Sequence, residues 1–134
     1  MRAKAGRLGA RSKRFASSRA RSVAILRAKE DLMLTLCIRY TLDSTKLADF
    51  EAYARGVAGP IERCGGKVVG YWAPTKFAGP TNAGLALIDF PSLGAYERYR
   101  EALAADPEHT TVAQRAAQSG VILVEDRSVM QRAS

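Results

Sequence analysis

The sequence predicts an α+β fold, in which helices cover one face of a four-stranded antiparallel sheet. Residues 33–41 alternate between two sets of side chains, as in a half-buried strand. Residues 47–61 carry apolar side chains at intervals of three and four, which is typical of an amphipathic helix. Asp106-Pro107-Glu108 favours the start of a further helix, because a capping carboxylate, a proline and a second acid are preferred there in that order.

The first strand and the first helix have defined faces and ends. Alternate side chains of the strand point to opposite faces of the sheet. One face has Leu34, Leu36, Ile38 and Tyr40, and the other has Thr35, Cys37, Arg39 and Thr41. Asp43 or Ser44 can cap the helix, and Gly65-Gly66 ends it. Gly59-Pro60 predicts a kink or a break before that end, since a proline removes one backbone hydrogen bond.

The second and third strands are joined by a loop over residues 74–82 that contains two prolines. The second strand covers residues 67–73. Strict alternation places Val69, Tyr71 and Ala73 on one face and Val68, Gly70 and Trp72 on the other. Residues 83–90 are almost continuously apolar, which indicates a strand at the centre of the sheet.

The last third of the chain predicts a helix in two pieces and a final strand. Pro91-Ser92 stops the third strand and caps a helix over residues 93–104, and Gly120 ends the helix that begins at Asp106. Residues 121–129 form the fourth strand. This order of elements is the split βαβ arrangement of ferredoxin-like folds. Because the helices leave one sheet face uncovered, we expect a homodimer in which two sheets pack together.

The positive charge of the chain is confined to its first quarter. The 134 residues suffice for one ordinary domain and carry a net charge of +8. Residues 1–32 hold ten lysines and arginines against two acids, whereas residues 33–134 hold eleven of each sign. The domain at 33–134 is therefore neutral, and nucleic-acid binding by it lacks the electrostatic attraction on which such binding depends.

Residues 1–32 form a basic N-terminal extension with three competing interpretations. An Arg- and Ser-rich segment with few acids is typical of an organelle transit peptide. The same charge suits an arm that binds nucleic acid or lipid. In the third interpretation the start is misassigned and Met33, directly before the first strand, is the first residue. We expect a cytoplasmic protein without a membrane span, or a mitochondrial one if the segment is a genuine transit peptide.

The sequence lacks the residue patterns on which several classes of catalysis and binding depend. Cys37 and Cys64 are not spaced as a metal-binding pair, and neither has a nearby histidine in sequence to activate it. His109 is the single histidine, and its place at a helix start favours a surface residue over a base or a haem ligand. No P-loop or dinucleotide-binding glycine motif is present. The sequence therefore indicates neither a metal nor a cofactor.

The domain resembles the NIPSNAP family along nearly all of residues 33–134. The stretches that carry the resemblance are MLTLCIRY (33–40), LADFEAYAR (47–55), PIERCGG (60–66) with GYWAP (70–74), DFPSLGAYERYR (89–100) with DPE (106–108), and EDRS (125–128). The resemblance implies a dimeric α+β barrel, in which two ferredoxin-like units join through their sheets. Small oxygenases and haem-degrading enzymes share that architecture, whereas the resemblance implies no settled reaction for the family itself.

Five residues are candidates for a ligand site: Arg39, Tyr71, Trp72, Asn82 and Arg127. Aromatic side chains with a polar group suit small-molecule pockets, although they also fill cores and interfaces. A strand arginine can hold an anion or a carbonyl oxygen, or it can form a structural ion pair. The resemblance implies that an asparagine can hydrogen-bond a carbonyl or enolate, whereas its place at a loop end favours a turn residue.

Two classes of function fit these observations. The first is a protein that binds a small hydrophobic or carbonyl-bearing molecule in a pocket of a dimeric barrel, with oxygenase-like chemistry implied by the architecture. The second is a non-catalytic homodimeric protein that presents a surface to a partner. An accessible pocket favours the first class, and a pocket filled by side chains favours the second. Whether the chain is an enzyme stays open at this stage.

Overall fold

The computed structural model describes residues 33–134 together with Arg21. The elements are β1 (Leu34–Leu42), α1 (Leu47–Arg63), β2 (Lys67–Trp72), β3 (Ala83–Phe90), α2 (Leu93–Ala104), α3 (Pro107–Ser119) and β4 (Ile122–Gln131), and a short 3-10 turn precedes α1. The predicted basic extension at 1–32 lies outside the described residues, apart from Arg21. Within the described part, no helix combines the length and the apolarity needed to cross a bilayer.

The four strands form one antiparallel sheet in the order β2-β3-β1-β4. This is the order of a ferredoxin-like fold, so the predicted fold class is confirmed. β3 lies at the centre beside β1, as its continuous apolar character predicted. Among the described strands, β4 lies at an edge of the sheet and pairs with β1 alone.

The core lies between the helices and one face of the sheet, which we call the helix face. Alternate residues of the two central strands supply its sheet side: Leu36, Ile38, Tyr40, Leu42, Ala86, Ile88 and Phe90. The stripe of α1 supplies the opposite side through Phe50, Val57 and Ile61. Burial of this apolar surface is the main favourable term for folding, and it fixes α1 against the sheet.

α1 runs through Pro60 without the break that the sequence suggested. Pro60 is fully buried, and its carbonyl accepts a hydrogen bond from the Cys64 backbone N–H at 3.0 Å. Packing of this last turn against the sheet offsets the bond that proline cannot donate, because tertiary contacts supply most helix stability in proteins. The helix ends where the glycine pair predicted, with Gly65 at a φ of 108°.

β2 departs from strict alternation at Val69. Val68 pairs with Ile88 and Gly70 pairs with Leu87, so Val69 is an extra residue that is half exposed. The prediction that Val68 shares a face with Trp72 is therefore wrong. The bulge brings Val68 onto the helix face beside Tyr71, and both pack against the core.

Candidate functional site

A cavity of about 310 Å³ opens on the helix face between α1, α3 and β4. It combines four polar or charged side chains with a small apolar wall. Its lining residues are Tyr53, His109, Ala113, Ala116, Ala117, Ile122, Glu125 and Arg127. A neighbouring cavity of about 220 Å³ between α1 and α3 shares Tyr53 and Ala116 with it. The volume of the first cavity, about 310 Å³, lies at the lower end of the range for small-molecule sites.

The start of α3 positions His109 at this cavity. The His109 backbone N–H donates to Asp106 Oδ1 at 2.9 Å, which is the N-cap bond that the sequence predicted. Arg63 Nη2 at the end of α1 contacts Asp106 Oδ2 at 2.7 Å and ties the two helices together. The N-cap bond from His109, followed by the Arg63 guanidinium, lowers the pKa of the Asp106 carboxyl. The first turn of α3 is thus fixed by its own N-cap hydrogen bond and by the ion pair between Asp106 and Arg63 of α1.

Small residues set the spacing of the two helices and leave room for the cavity. A Cβ atom built on Gly56 would lie 2.9 Å from Val112 Cγ1, so α1 and α3 approach closely at this point. Further along the facing side of α3, Ala113, Ala116 and Ala117 line the cavity. Alanine side chains fill little of the space between helix and strand, and the cavity occupies what remains.

β4 supplies the charges of the cavity. Glu125 pairs with Tyr40 and Arg127 pairs with Ile38, so both side chains project to the helix face. Arg127 Nη2 lies 3.3 Å from Glu125 Oε1. Burial lowers the pKa of the Arg127 guanidinium, but the Glu125 carboxylate outweighs this effect and the pKa is raised. Arg127 therefore carries a full positive charge in a half-buried position.

A cluster of aromatic rings forms the floor beside the cavity. The Tyr40 ring centroid lies 5.1 Å from that of Phe50 and 6.5 Å from that of Tyr71, and Tyr53 lies 6.4 Å from Tyr71. Burial raises the pKa of the hydroxyls of Tyr40, Tyr53 and Tyr71, so all three stay protonated at neutral pH. The buried Tyr40 hydroxyl completes no hydrogen bond with the described residues, although Tyr53 and Tyr71 both act on its pKa.

His109 is neutral at neutral pH. Burial lowers the pKa of its imidazole, and the Arg127 guanidinium adds to this effect against the opposing Asp106 carboxylate. A neutral imidazole can accept a proton or a hydrogen bond from a ligand. The expectation of a surface residue is wrong, because the capped first turn of α3 holds this side chain half-buried against the cavity.

The five residues singled out from the sequence lie in three places. Arg127 lines the cavity, and Tyr71 belongs to the adjacent aromatic cluster. Arg39 and Trp72 project from the opposite face of the sheet. Asn82 lies exposed at the end of the β2–β3 loop, where its backbone carbonyl accepts the Leu42 N–H at 2.7 Å. The structure does not bring the five side chains together.

Sequence reasoning missed Tyr53, His109 and Glu125 as lining residues. Tyr53 follows Phe50 by three positions, so the helical stripe could have placed it near the core. Glu125 and Arg127 are two apart in a strand, and this spacing puts them on one face. No local signal places His109 beside them, because that proximity depends on how α3 packs against β4.

The face of the sheet away from the helices, which we call the open face, carries both exposed apolar side chains and charged ones. It exposes Trp72, Val124 and Met130 by about half, beside the charges of Arg39 and Asp126. Thr35 Oγ1 donates to Asp89 Oδ1 at 2.6 Å across two central strands. Within the described residues, Arg39 and Asp126 are cross-strand neighbours that form no ion pair within 4 Å.

The sheet order and the helices on one face define a ferredoxin-like α+β fold for residues 33–134. Residues 35–134 match the NIPSNAP family model, so the chain belongs to the NIPSNAP family. No curated protein matches the sequence at a significant level.

Solved structures of bacterial NIPSNAP proteins share the fold. A family member of unknown function from Agrobacterium tumefaciens is 21% identical with a TM-score of 0.66, and the match covers 77% of this chain and 90% of that one. An uncharacterised NIPSNAP-like protein from Burkholderia xenovorans is 21% identical with a TM-score of 0.65, covering 78% and 88%. SnoaB, a cofactor-independent oxygenase from Streptomyces nogalater, is 16% identical with a TM-score of 0.56, covering 76% and 94%.

Proposed function

We propose that the chain binds a small hydrophobic or carbonyl-bearing molecule in the cavity between α1, α3 and β4. The observation that carries the proposal is the convergence of Tyr53, His109 and Arg127 on one cavity with an alanine wall. Apolar walls with a few converging polar groups are the usual composition of a ligand site. At about 30 Å³ for each water-sized group, the volume suits a molecule of about ten non-hydrogen atoms, which is one ring with a substituent.

The lining side chains suit a ligand with an acidic proton beside a carbonyl group. A neutral His109 would accept that proton, and the Arg127 guanidinium would stabilise the negative oxygen that remains. The likeness of the fold to SnoaB supports oxygenase-like chemistry of a kind that needs no cofactor.

We also propose a homodimer in which the open faces of two copies pack together. Trp72, Val124 and Met130 expose apolar surface there, and a face-to-face pair of sheets would cover it. The second candidate function is a non-catalytic homodimeric interaction protein, which would present an exposed apolar patch on its helical side to a partner. That function needs no open cavity, whereas the binding function does.

Filling the cavity tests the binding proposal. Ala113 lines the cavity, and the exposed Gln114 follows it on the same helix without lining it. Single-ring aromatic acids, amides, ketones and phenols are screened by ligand-observed NMR and by thermal shift. We expect the native chain and Gln114→Phe to bind the same compounds, and Ala113→Phe to lose them. Binding that survives in Ala113→Phe, or a screen without any binder to the native chain, would contradict the proposal.

A further inference from the structure

We infer that the ligand of this cavity is a small carboxylic acid, bound as its anion, whose carboxylate pairs with Arg127 in place of Glu125. The inference rests on the proposed function and narrows it from small molecules in general to anionic ones. It follows from three features of the described residues: an incompletely paired guanidinium, an acid that competes for it from the same strand, and an apolar wall sized for one ring.

Two arginines near the same helices differ in how far they are satisfied. Arg63 reaches Asp106 with two nitrogens, at 2.7 and 3.2 Å, and reaches Glu108 at 3.1 Å. Within the described residues, Arg127 makes one hydrogen bond, from Nη2 to Glu125 Oε1 at 3.3 Å. A guanidinium has five N–H donors and binds carboxylates best with two parallel bonds at about 2.7–2.9 Å. Arg127 therefore keeps more donors for an incoming carboxylate than Arg63, whose Nε and Nη2 are both engaged.

Glu125 occupies the position of a competitor. It lies two residues before Arg127 on β4, and the two side chains are the acidic and the strongly basic group among the lining residues. The pair is neutral as it stands, so an anionic ligand must displace Glu125 from Arg127. Glu125 is partly exposed on an edge strand and can turn towards solvent when displaced.

The rest of the cavity suits the body of an aromatic or branched acid. Ala113, Ala117 and Ile122 offer apolar contacts along one side. The Tyr53 hydroxyl and the neutral His109 imidazole offer hydrogen bonds without a further charge. Once Glu125 has turned away, the cavity holds one cation, apolar walls and neutral polar groups, and this combination favours a ligand with one negative charge over a neutral or a cationic one.

The test compares benzoate with benzamide, which has nearly the same shape and no charge. Dissociation constants at pH 7 are measured by NMR titration for the native chain, Arg127→Gln, Glu125→Gln and the control Arg132→Gln, whose side chain bonds the exposed carbonyl of Ser134. We expect the native chain and the control to prefer benzoate, and Arg127→Gln to weaken benzoate about 10- to 100-fold. Glu125→Gln should tighten benzoate about tenfold and leave benzamide unchanged, and added salt should weaken benzoate alone.

The outcomes separate the inference from the proposed function. If benzamide binds as tightly as benzoate, or if Glu125→Gln weakens benzoate, the anionic ligand is ruled out while the binding proposal survives. If neither probe binds the native chain or Glu125→Gln, the inference is overturned, and the wider screen with Ala113→Phe decides the binding proposal. Circular dichroism and melting curves confirm that each variant is folded before its dissociation constants are compared.

Discussion

The two faces of the sheet come from the same strands but differ in what covers them. On β1, Leu36, Ile38 and Tyr40 are at most 3% exposed beneath the helices, whereas Arg39 projects into solvent between the last two. Trp72 and Met130 on the open face are 46% and 49% exposed. The helix face contains the core and the cavity, and the open face is the one through which we propose that two copies assemble. Because successive side chains of a strand alternate between the faces, the buried set and the exposed set can serve separate purposes.

The largest effect should follow from truncating the helix face at Phe90. This ring is 1% exposed, and its centroid lies 4.6 Å from that of Tyr99. Phe90→Ala removes the buried ring and leaves a cavity, so we expect a loss of about 3–5 kcal/mol in the free energy of unfolding. Urea unfolding followed by circular dichroism measures it, with the half-exposed Leu93→Ala as control, for which a loss under about 1 kcal/mol is expected. Equal losses for the two variants would remove the distinction between core and surface.

Two glycines test how closely the elements pack on the same face. A Cβ built on the buried Gly66 would lie 2.9 Å from the methyl carbons of Ile61 and Ile88, whereas one on the exposed Gly59 meets nothing within 4 Å. We expect Gly66→Ala to lower the free energy of unfolding by about 1–3 kcal/mol through overpacking. Gly59→Ala lies in the interior of α1 directly before Pro60, so the gain in helix propensity is offset by contact of the new Cβ with the proline ring, and we expect a change of less than about 0.5 kcal/mol. Thermal melts compare the two, and a neutral Gly66→Ala would show that the core is loosely packed here.

Trp72 tests whether the open face is the dimer interface. We expect Trp72→Asp to raise the dimer dissociation constant by more than about 30-fold, since buried tryptophans dominate interfaces, and to leave the folded monomer intact. Sedimentation equilibrium measures the constant. Phe77→Asp is the control, because Phe77 is exposed on the β2–β3 loop and lies outside the sheet. A native chain that stays monomeric at high concentration would contradict the proposed dimer.

The smallest effect expected of a single substitution concerns the buried tyrosines at alkaline pH. The folded-state pKa values of Tyr40, Tyr71 and Tyr99 lie above the unfolded value of 10, mainly because of burial. Their contribution to stability is therefore complete below pH 10 and is lost as the pH rises beyond it, at most about 1.4 kcal/mol per pH unit for each tyrosine.

Tyr40→Phe removes a buried hydroxyl that completes no hydrogen bond with the described residues. We expect it to keep its stability at pH 7 and to lose less stability between pH 9 and pH 10.5 than the native chain. Urea denaturation at several pH values gives both results, and an unchanged alkaline slope would contradict them.

Much of the architecture was predictable because its signals are local. Asp106 caps α3, Gly65 and Gly120 end their helices at positive φ, and the apolar run at β3 marks a central strand. The candidate site was harder to predict from local signals. Of the residues that the sequence suggested, Arg127 lines the cavity, whereas Arg39 and Trp72 lie on the other face of the sheet. His109, which lines the cavity, was expected at the surface.

What the sequence determined by itself was the set of elements, their order and the faces of regular strands, since caps, breakers and periodicity act over a few residues. The tertiary structure decided the bulge at Val69, the continuation of α1 through Pro60 and the meeting of His109 with Arg127. Each of these depends on contacts between segments far apart in the chain. The register of β4 on β1 and the packing of α3 against β4 place those groups together, and neither is encoded in a local pattern.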